Sequence, residues 1–264
     1  MKYIKNIAFA IFCLFALNSF AQNDSINKKD AAGKKHGHWI KLDDNKKKIY
    51  DGNFVNDIPV GKFTYYYDNG TPWSETVFTK NGKVAYTKMF DAGGKLMGEG
   101  KYIDKKKDSL WKFYNNEGKL ISDEMYSNGL KNGSCKVYYA NAQISEEKIW
   151  KNGVLDGPCK KYFETGQIKY LGQYINNKVE GKALFYHTSG KVNAEGLYKA
   201  DLKDGDWKYY KEDGTLDRID PYIEGRFVGK KDPNVISKEQ EEKEKKQYEN
   251  FEIKDPYQEG YTPH

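Results

Sequence analysis

The stretch GDWKYYKEDGTLDRIDPYIEGRFV, Gly205–Val228, decides the fold. Counting Gly205 as position 0 and stepping back by 24 gives Gly181, Gly157, Gly133, Ser109, Ala85, Gly61 and Gly37; one step forward gives Gly229. No insertion or deletion interrupts the count. At position 17 stand Phe54, Phe78, Tyr102, Tyr126, Trp150, Tyr174, Tyr198 and Tyr222, aromatic in every unit. At position 5 stand Leu42, Tyr66, Phe90, Tyr114, Tyr138, Tyr162, Tyr186 and Tyr210. Glycine recurs at position 9, where only Lys46 and Ala142 break the column. At position 2 the large Trp39, Phe63, Trp111 and Trp207 alternate with Thr87, Cys135, Cys159 and Ala183. A fixed period of this length is the mark of a repeat architecture.

Each unit reads as a β-hairpin. Asn69-Gly70, Glu117-Gly118, Thr165-Gly166, Ser189-Gly190 and Asp213-Gly214 separate two strand-like runs. Glycine supplies the positive φ that tight hairpin turns need. Asn81-Gly82, Asn128-Gly129, Asn152-Gly153 and Asn176-Asn177 join one unit to the next. The glycine frequency and the lack of a 3.6-residue period exclude helices over the repeats. The expected fold is all-β: an elongated, twisted, single-layer antiparallel meander of eight hairpins over residues 37–228. Sixteen strands at about 4.8 Å spacing make a sheet roughly 75 Å long.

Side chains alternate along a strand. A two-residue first turn would set position 3 opposite position 14, pairing Lys88 with Glu99, Lys112 with Asp123 and Lys136 with Glu147. The position 5 aromatics share that face. Positions 2, 11 and 17 are expected together on the opposite, better buried face, position 11 holding Leu96, Leu120, Ile144, Ile168, Val192 and Leu216. With two strands per unit, one strand separates the position 2 residues Cys135 and Cys159. Their Cα atoms then lie roughly 9–10 Å apart, beyond the limit of about 7 Å for a disulfide, so both are expected as free, buried thiols.

Outside the repeats, residues 1–21 read as a signal peptide. Lys2 and Lys5 precede an apolar run, Ile7 to Leu17, and Ser19-Phe20-Ala21 is a small-x-small cleavage site. Cys13 lies inside the apolar run, not after it, which argues against a lipoprotein. The expectation is an exported protein: periplasmic, cell-surface or secreted. Loss of two lysines and no acid lowers the net charge from +6 to +4. Arginine, the usual reader of phosphates and guanine edges, occurs only as Arg218 and Arg226, so no nucleic-acid partner is expected. Residues 22–36 read as a linker and 229–264 as a charged tail; Ser237 to Gln247 has the composition of a short solvated helix, and Glu252 to His264 reads as disordered.

The unit, written G-x-W-x-x-Y-x-x-N-G-x-L-x-x-E-x-x-Y-x-N-G, is plain in Lys112 to Tyr126 and in Gly205 to Leu216. It resembles the MORN-repeat-variant family of bacterial proteins, often labelled YwqK-type antitoxins, over about three quarters of the chain. Departures are Ala85 and Ser109 for glycine, Thr87 for the aromatic and Ala142 for the turn glycine. The resemblance implies a meander of hairpins, a role in protein binding that extends to toxin neutralisation, and, in related MORN proteins, membrane or lipid contact.

Catalytic chemistry has little to stand on, and neither enzyme activity, a cofactor nor a metal is expected. His36 and His38 lack a companion ligand cluster, and His187 takes a position where other units carry Tyr67, Tyr139 or Phe163. The acids Glu75, Glu99, Asp123, Glu147 and Glu195 recur once per unit, as structural ion pairs do and a catalytic pair does not. The one candidate binding surface is the tyrosine column Tyr66, Tyr114, Tyr138, Tyr162, Tyr186 and Tyr210, since tyrosine brings contact area at low entropy cost. A protein partner is the leading expectation; a cell-envelope glycan and an anionic membrane surface are the alternatives.

Overall fold

The computed structural model of the chain describes residues 26–232. The expected signal peptide and tail helix, and the segment from Glu252, lie outside them. The described residues contain eighteen strands and no helix, in a single antiparallel sheet. β1 (Gly37–Leu42) and β2 (Lys48–Val55) form the first hairpin, β3 (Ile58–Tyr66) and β4 (Pro72–Thr79) the second. β5 (Val84–Phe90) and β6 (Leu96–Ile103) form the third, β7 (Lys106–Tyr114) and β8 (Leu120–Ser127) the fourth. β9 (Leu130–Tyr138) with β10 (Ile144–Lys151) and β11 (Val154–Tyr162) with β12 (Ile168–Ile175) follow. The seventh pairs the broken strand β13 (Lys178–Val179) and β14 (Gly181–Tyr186) with β15 (Val192–Lys199). The eighth is β16 (Leu202–Tyr210) and β17 (Leu216–Ile223), and β18 (Arg226–Phe227) begins a further strand. Strands pair with their chain neighbours, so the fold is an open meander.

The hairpin register explains the two most regular columns. Position 0 lies opposite position 17 in all eight hairpins, from Gly37 opposite Phe54 to Gly205 opposite Tyr222. An aromatic ring thus covers the bare backbone of a small residue. Position 3 lies opposite position 14 as expected: Lys88 with Glu99, Lys112 with Asp123, Lys136 with Glu147.

The first turn differs from the two-residue expectation. Tyr67 N–H donates to Thr71 O and Gly70 N–H to Tyr67 O, which encloses a three-residue loop. The extra loop residue is offset by a bulge at position 12: Tyr65 pairs with Ser74, but Tyr66 pairs with Pro72. The same shift recurs in every hairpin, Tyr114 pairing with Leu120 and Tyr138 with Ile144. A one-residue slip moves side chains to the other face. Position 11 therefore joins position 5, not positions 2 and 17. The expected grouping was wrong in that one column, because no turn residue announces a bulge inside a strand.

A second bulge sits at the junction between units. Gly61, at φ 66°, lets Asp51 pair with Thr64 while Asn53 pairs with Val60. The ring at position 2 is thereby thrown across the preceding strand onto position 15, where a side chain would collide. A Cβ on Gly52 would stand 2.4 Å from the Phe63 ring, one on Gly100 2.2 Å from Trp111, and one on Gly196 2.4 Å from Trp207. Trp111, Trp207 and Phe63 are 0%, 1% and 2% exposed, which makes this face the core of a single-layer protein. A lysine two residues before position 0 closes the other side of each tryptophan: Lys35 Nζ lies 4.8 Å from the Trp39 ring centre, Lys107 4.5 Å from Trp111, and Lys203 4.2 Å from Trp207.

The junction between β4 and β5 is the exception. Ala85 does not take positive φ, and the pairing runs without a shift from Ser74–Met89 to Thr79–Val84. Ser109 keeps the bulge at the next junction only by adopting φ 59° itself. At the start of the sheet, part of the expected linker lies along β1: Asn27 N–H donates to His38 O, and Lys29 bridges Lys35. At its end Lys231 bonds to Ile219 O through its backbone and to Asp206 through Nζ.

Candidate functional site: a tyrosine–aliphatic stripe

The bulge at position 12 builds the candidate surface. It sets each position 5 ring beside a position 11 residue on the face that carries the ion pairs. Tyr66 lies opposite Pro72, Phe90 opposite Leu96, Tyr114 opposite Leu120, and Tyr138 opposite Ile144. Tyr162 lies opposite Ile168, Tyr186 opposite Val192, and Tyr210 opposite Leu216. These pairs run the length of the sheet beside its first-turn edge. The six tyrosines are half-buried, and Ile168 and Leu42 are exposed.

The acid column fixes the rings. Tyr114 Oη donates to Glu99 at 2.7 Å, Tyr138 to Asp123 at 2.6 Å and Tyr210 to Glu195 at 2.7 Å, each reaching back to the preceding unit. Burial, and then the Glu99 carboxylate, push the Tyr114 hydroxyl up to about 12. Burial opposes ionisation of Glu195, but bonds from Tyr210 and Lys182 outweigh it and leave the carboxyl below its usual range. Lys182 Nζ lies 3.0 Å from Glu195, and Lys136 3.8 Å from Glu147. Glu75 pairs with Lys62 at 2.9 Å, and the next unit carries Phe90 at position 5 in place of a tyrosine. The stripe therefore runs beside paired charges that anchor three of its hydroxyls.

Position 6 ties the units along the same edge. Tyr67 Oη donates to Phe90 O at 2.9 Å and Tyr139 Oη to Tyr162 O at 2.7 Å, while His187 Nε2 meets Tyr210 O at 3.0 Å. That gives His187 a structural contact. His38 pairs with Asp51 at 2.7 Å. Among the described residues no group of three or more His, Cys, Asp or Glu is placed to hold a metal. Cys135 and Cys159 are free and buried, each opposite Lys148 on the strand between them, and burial pushes the Cys159 thiol up to about 11.

Where β4 and β5 pair without a bulge, both faces open. On the stripe face a groove of about 600 Å³ exposes Val77, Tyr86 and Leu110 among Lys62, Lys88 and Glu99. On the core face lies a cavity of about 270 Å³. The sequence reading missed the glycines at position 15. Their signal was present: Gly52, Gly100 and Gly196 are each followed eleven residues later by Phe63, Trp111 and Trp207.

These features define a β-repeat protein in which each unit closes its neighbour's core. The chain matches the MORN repeat variant over residues 59–81, 155–176, 179–200 and 203–224, and the MORN repeat over 125–142. The chain thus carries MORN repeats; the match is to the repeat and carries no antitoxin assignment. Repeats of this class commonly bind proteins or membranes. A comparison with curated proteins gave no match. Two crystal structures are similar in part: that of a mutant of S. aureus TarM in complex with Fondaparinux, alpha-GlcNAc-glycerol and UDP, and one of TarM. Each shares 17% identity at a TM-score of 0.27, over 35% of this chain and 20% of the other. The chain spans about a fifth of the length of those proteins, and likeness at that score decides nothing here.

Proposed function

We propose that this chain is an exported, non-enzymatic repeat scaffold that holds a protein partner along its tyrosine–aliphatic stripe. The carrying observation is that seven successive units present an aromatic ring beside residue 11 of the same hairpin, with the hydroxyls of Tyr114, Tyr138 and Tyr210 anchored on carboxylates of the preceding unit. Rigid, pre-set apolar area loses little entropy on binding. The position 3 lysines face carboxylates across the strands, so their charge is largely answered within the sheet; this favours a protein over an anionic membrane. The family resemblance suggests toxin neutralisation, and export would restrict that role to a toxin met outside the cytoplasm.

The test is capture from a cell-envelope extract by the immobilised chain, with the double variant Tyr138→Ala/Tyr162→Ala as matched control. A protein retained by the first and lost from the second is expected. Identical capture by both would sink the reading. Export is checked separately, by N-terminal sequencing of the protein from the envelope fraction, which should begin at Gln22.

A further inference from the structure

The position 2 ring is missing from four units, and in three of them something else takes its place. Before Cys135, Glu124 occupies position 15, its carboxylate bonded to Tyr126 Oη at 2.6 Å and Lys131 Nζ at 2.8 Å. Before Cys159 it is Lys148, bonded to Glu146 at 2.9 Å and lying 5.8 Å from the Tyr174 ring centre. Before Ala183, Tyr170 swings its own ring over Gly172. In the fourth unit, Thr87 faces Thr76, and nothing fills the space. The cavity of about 270 Å³ lies here, lined by both threonines.

Its lining is specific. The floor is a chain of three buried hydroxyls: Ser74 Oγ lies 3.1 Å from Thr76 Oγ1, which lies 3.0 Å from Thr87 Oγ1. Three hydroxyls joined by two bonds keep one proton and several lone pairs for a further partner. The walls are aromatic. Trp73, the bulge residue of its hairpin and 41% exposed, leans on Tyr65 at 5.4 Å, and Tyr102 stands on the far side. Lys83 and Lys105 stand at the rim. Lys83 belongs to the column that caps tryptophans elsewhere, and here position 2 offers it no ring.

We propose that this cavity is a binding site for one sugar ring of an acidic glycan, a hexuronate residue. The C–H face of a pyranose stacks on Trp73 and Tyr65, its hydroxyls exchange bonds with the hydroxyl floor, and its carboxylate meets Lys83 and Lys105. A neutral aromatic guest would use the walls but leave floor and lysines without a partner. The site lies on the core face, so it goes beyond the protein-binding reading and stands or falls without it.

The experiment titrates the purified chain with trigalacturonate, followed by tryptophan fluorescence and amide shifts. Saturable binding is expected, weakened about tenfold in Trp73→Ala and in Lys83→Met. The double variant Thr76→Gly/Thr87→Trp, which puts an indole into the cavity, should lose binding. Trp73→Ala and Lys83→Met alter exposed side chains, so they keep the test open if the double variant does not fold. Absence of binding, or binding unchanged in all three variants, would overturn the proposal. Equal affinity for maltotriose would overturn the role of the lysines, and N-acetyl-tryptophanamide binding in place of the sugar would overturn the ligand class.

Discussion

The junction at Trp111 and the junction at Thr87 are built from the same 24-residue plan and reach opposite ends. At the first, Ser109 takes a positive φ, the strand bulges, and the indole drops onto Gly100 with its Nε1–H on Lys101 O at 3.0 Å. Lys107 lies over the ring, and Tyr102 meets it edge-on at 4.8 Å. At the second, Ala85 stays extended, the ladder runs on without a bulge, and two threonines meet over a void. The lesson is that the residue at position 0 and the pair at positions 2 and 15 work together. A ring at position 2 needs a glycine at position 15 to receive it, while the bulge persists even at the ringless Cys135 and Cys159 junctions.

Substitutions separate the two junctions. The largest expected effect is Trp111→Ala, which removes a fully buried ring and should cost about 3–5 kcal/mol in urea unfolding. Thr87→Ala removes one hydroxyl from a chain of three and should cost about 1 kcal/mol. Equal losses at the two sites would break the comparison. Gly100→Ala comes next. Its methyl would lie 2.2 Å from the indole, and overpacking of that kind costs about 1–3 kcal/mol. A smaller term comes from the stripe face, where the unit of Trp111 has Tyr114 and the unit of Thr87 has Phe90. Tyr114→Phe should cost about 1 kcal/mol. Because its hydroxyl is raised to about 12, the wild-type advantage is complete below pH 10, the unfolded value. It declines as pH rises through the folded value. A variant whose deficit persists unchanged into strong alkali would contradict that account. Smallest is a pair of glycine substitutions with opposite signs. Ser109→Gly relieves a strained backbone and should gain about 0.5 kcal/mol, while Ala85→Gly only loosens an extended strand and should lose about as much. Melting temperatures moving in the same direction would refute the assignment of the bulge to position 0.

Much of this was open to reading in the chain itself. The period, the hairpin, the ion-pair face and the separation of Cys135 from Cys159 follow from counting residues and alternating sides. The bulge at position 12 was not readable, because residues as different as Ile49, Trp73, Met97 and Ser145 occupy it. With it went the placement of Leu120 beside Tyr114. The cavity was out of reach for another reason. Thr87 stood out as a departure, but whether a missing ring is replaced depends on Thr76, Glu124, Lys148 and Tyr170, and so on contacts between units.

The meander has a mechanical consequence. Because each strand is bonded to its chain neighbours, a pull on the two ends loads the hydrogen bonds along their own direction, one row at a time. The sheet should yield as a zipper does, from either end, at low force and in even steps. Each unit released adds roughly 80 Å of chain, the reach of 24 extended residues. Hidden length of that kind would let the chain lengthen under load by small increments without breaking.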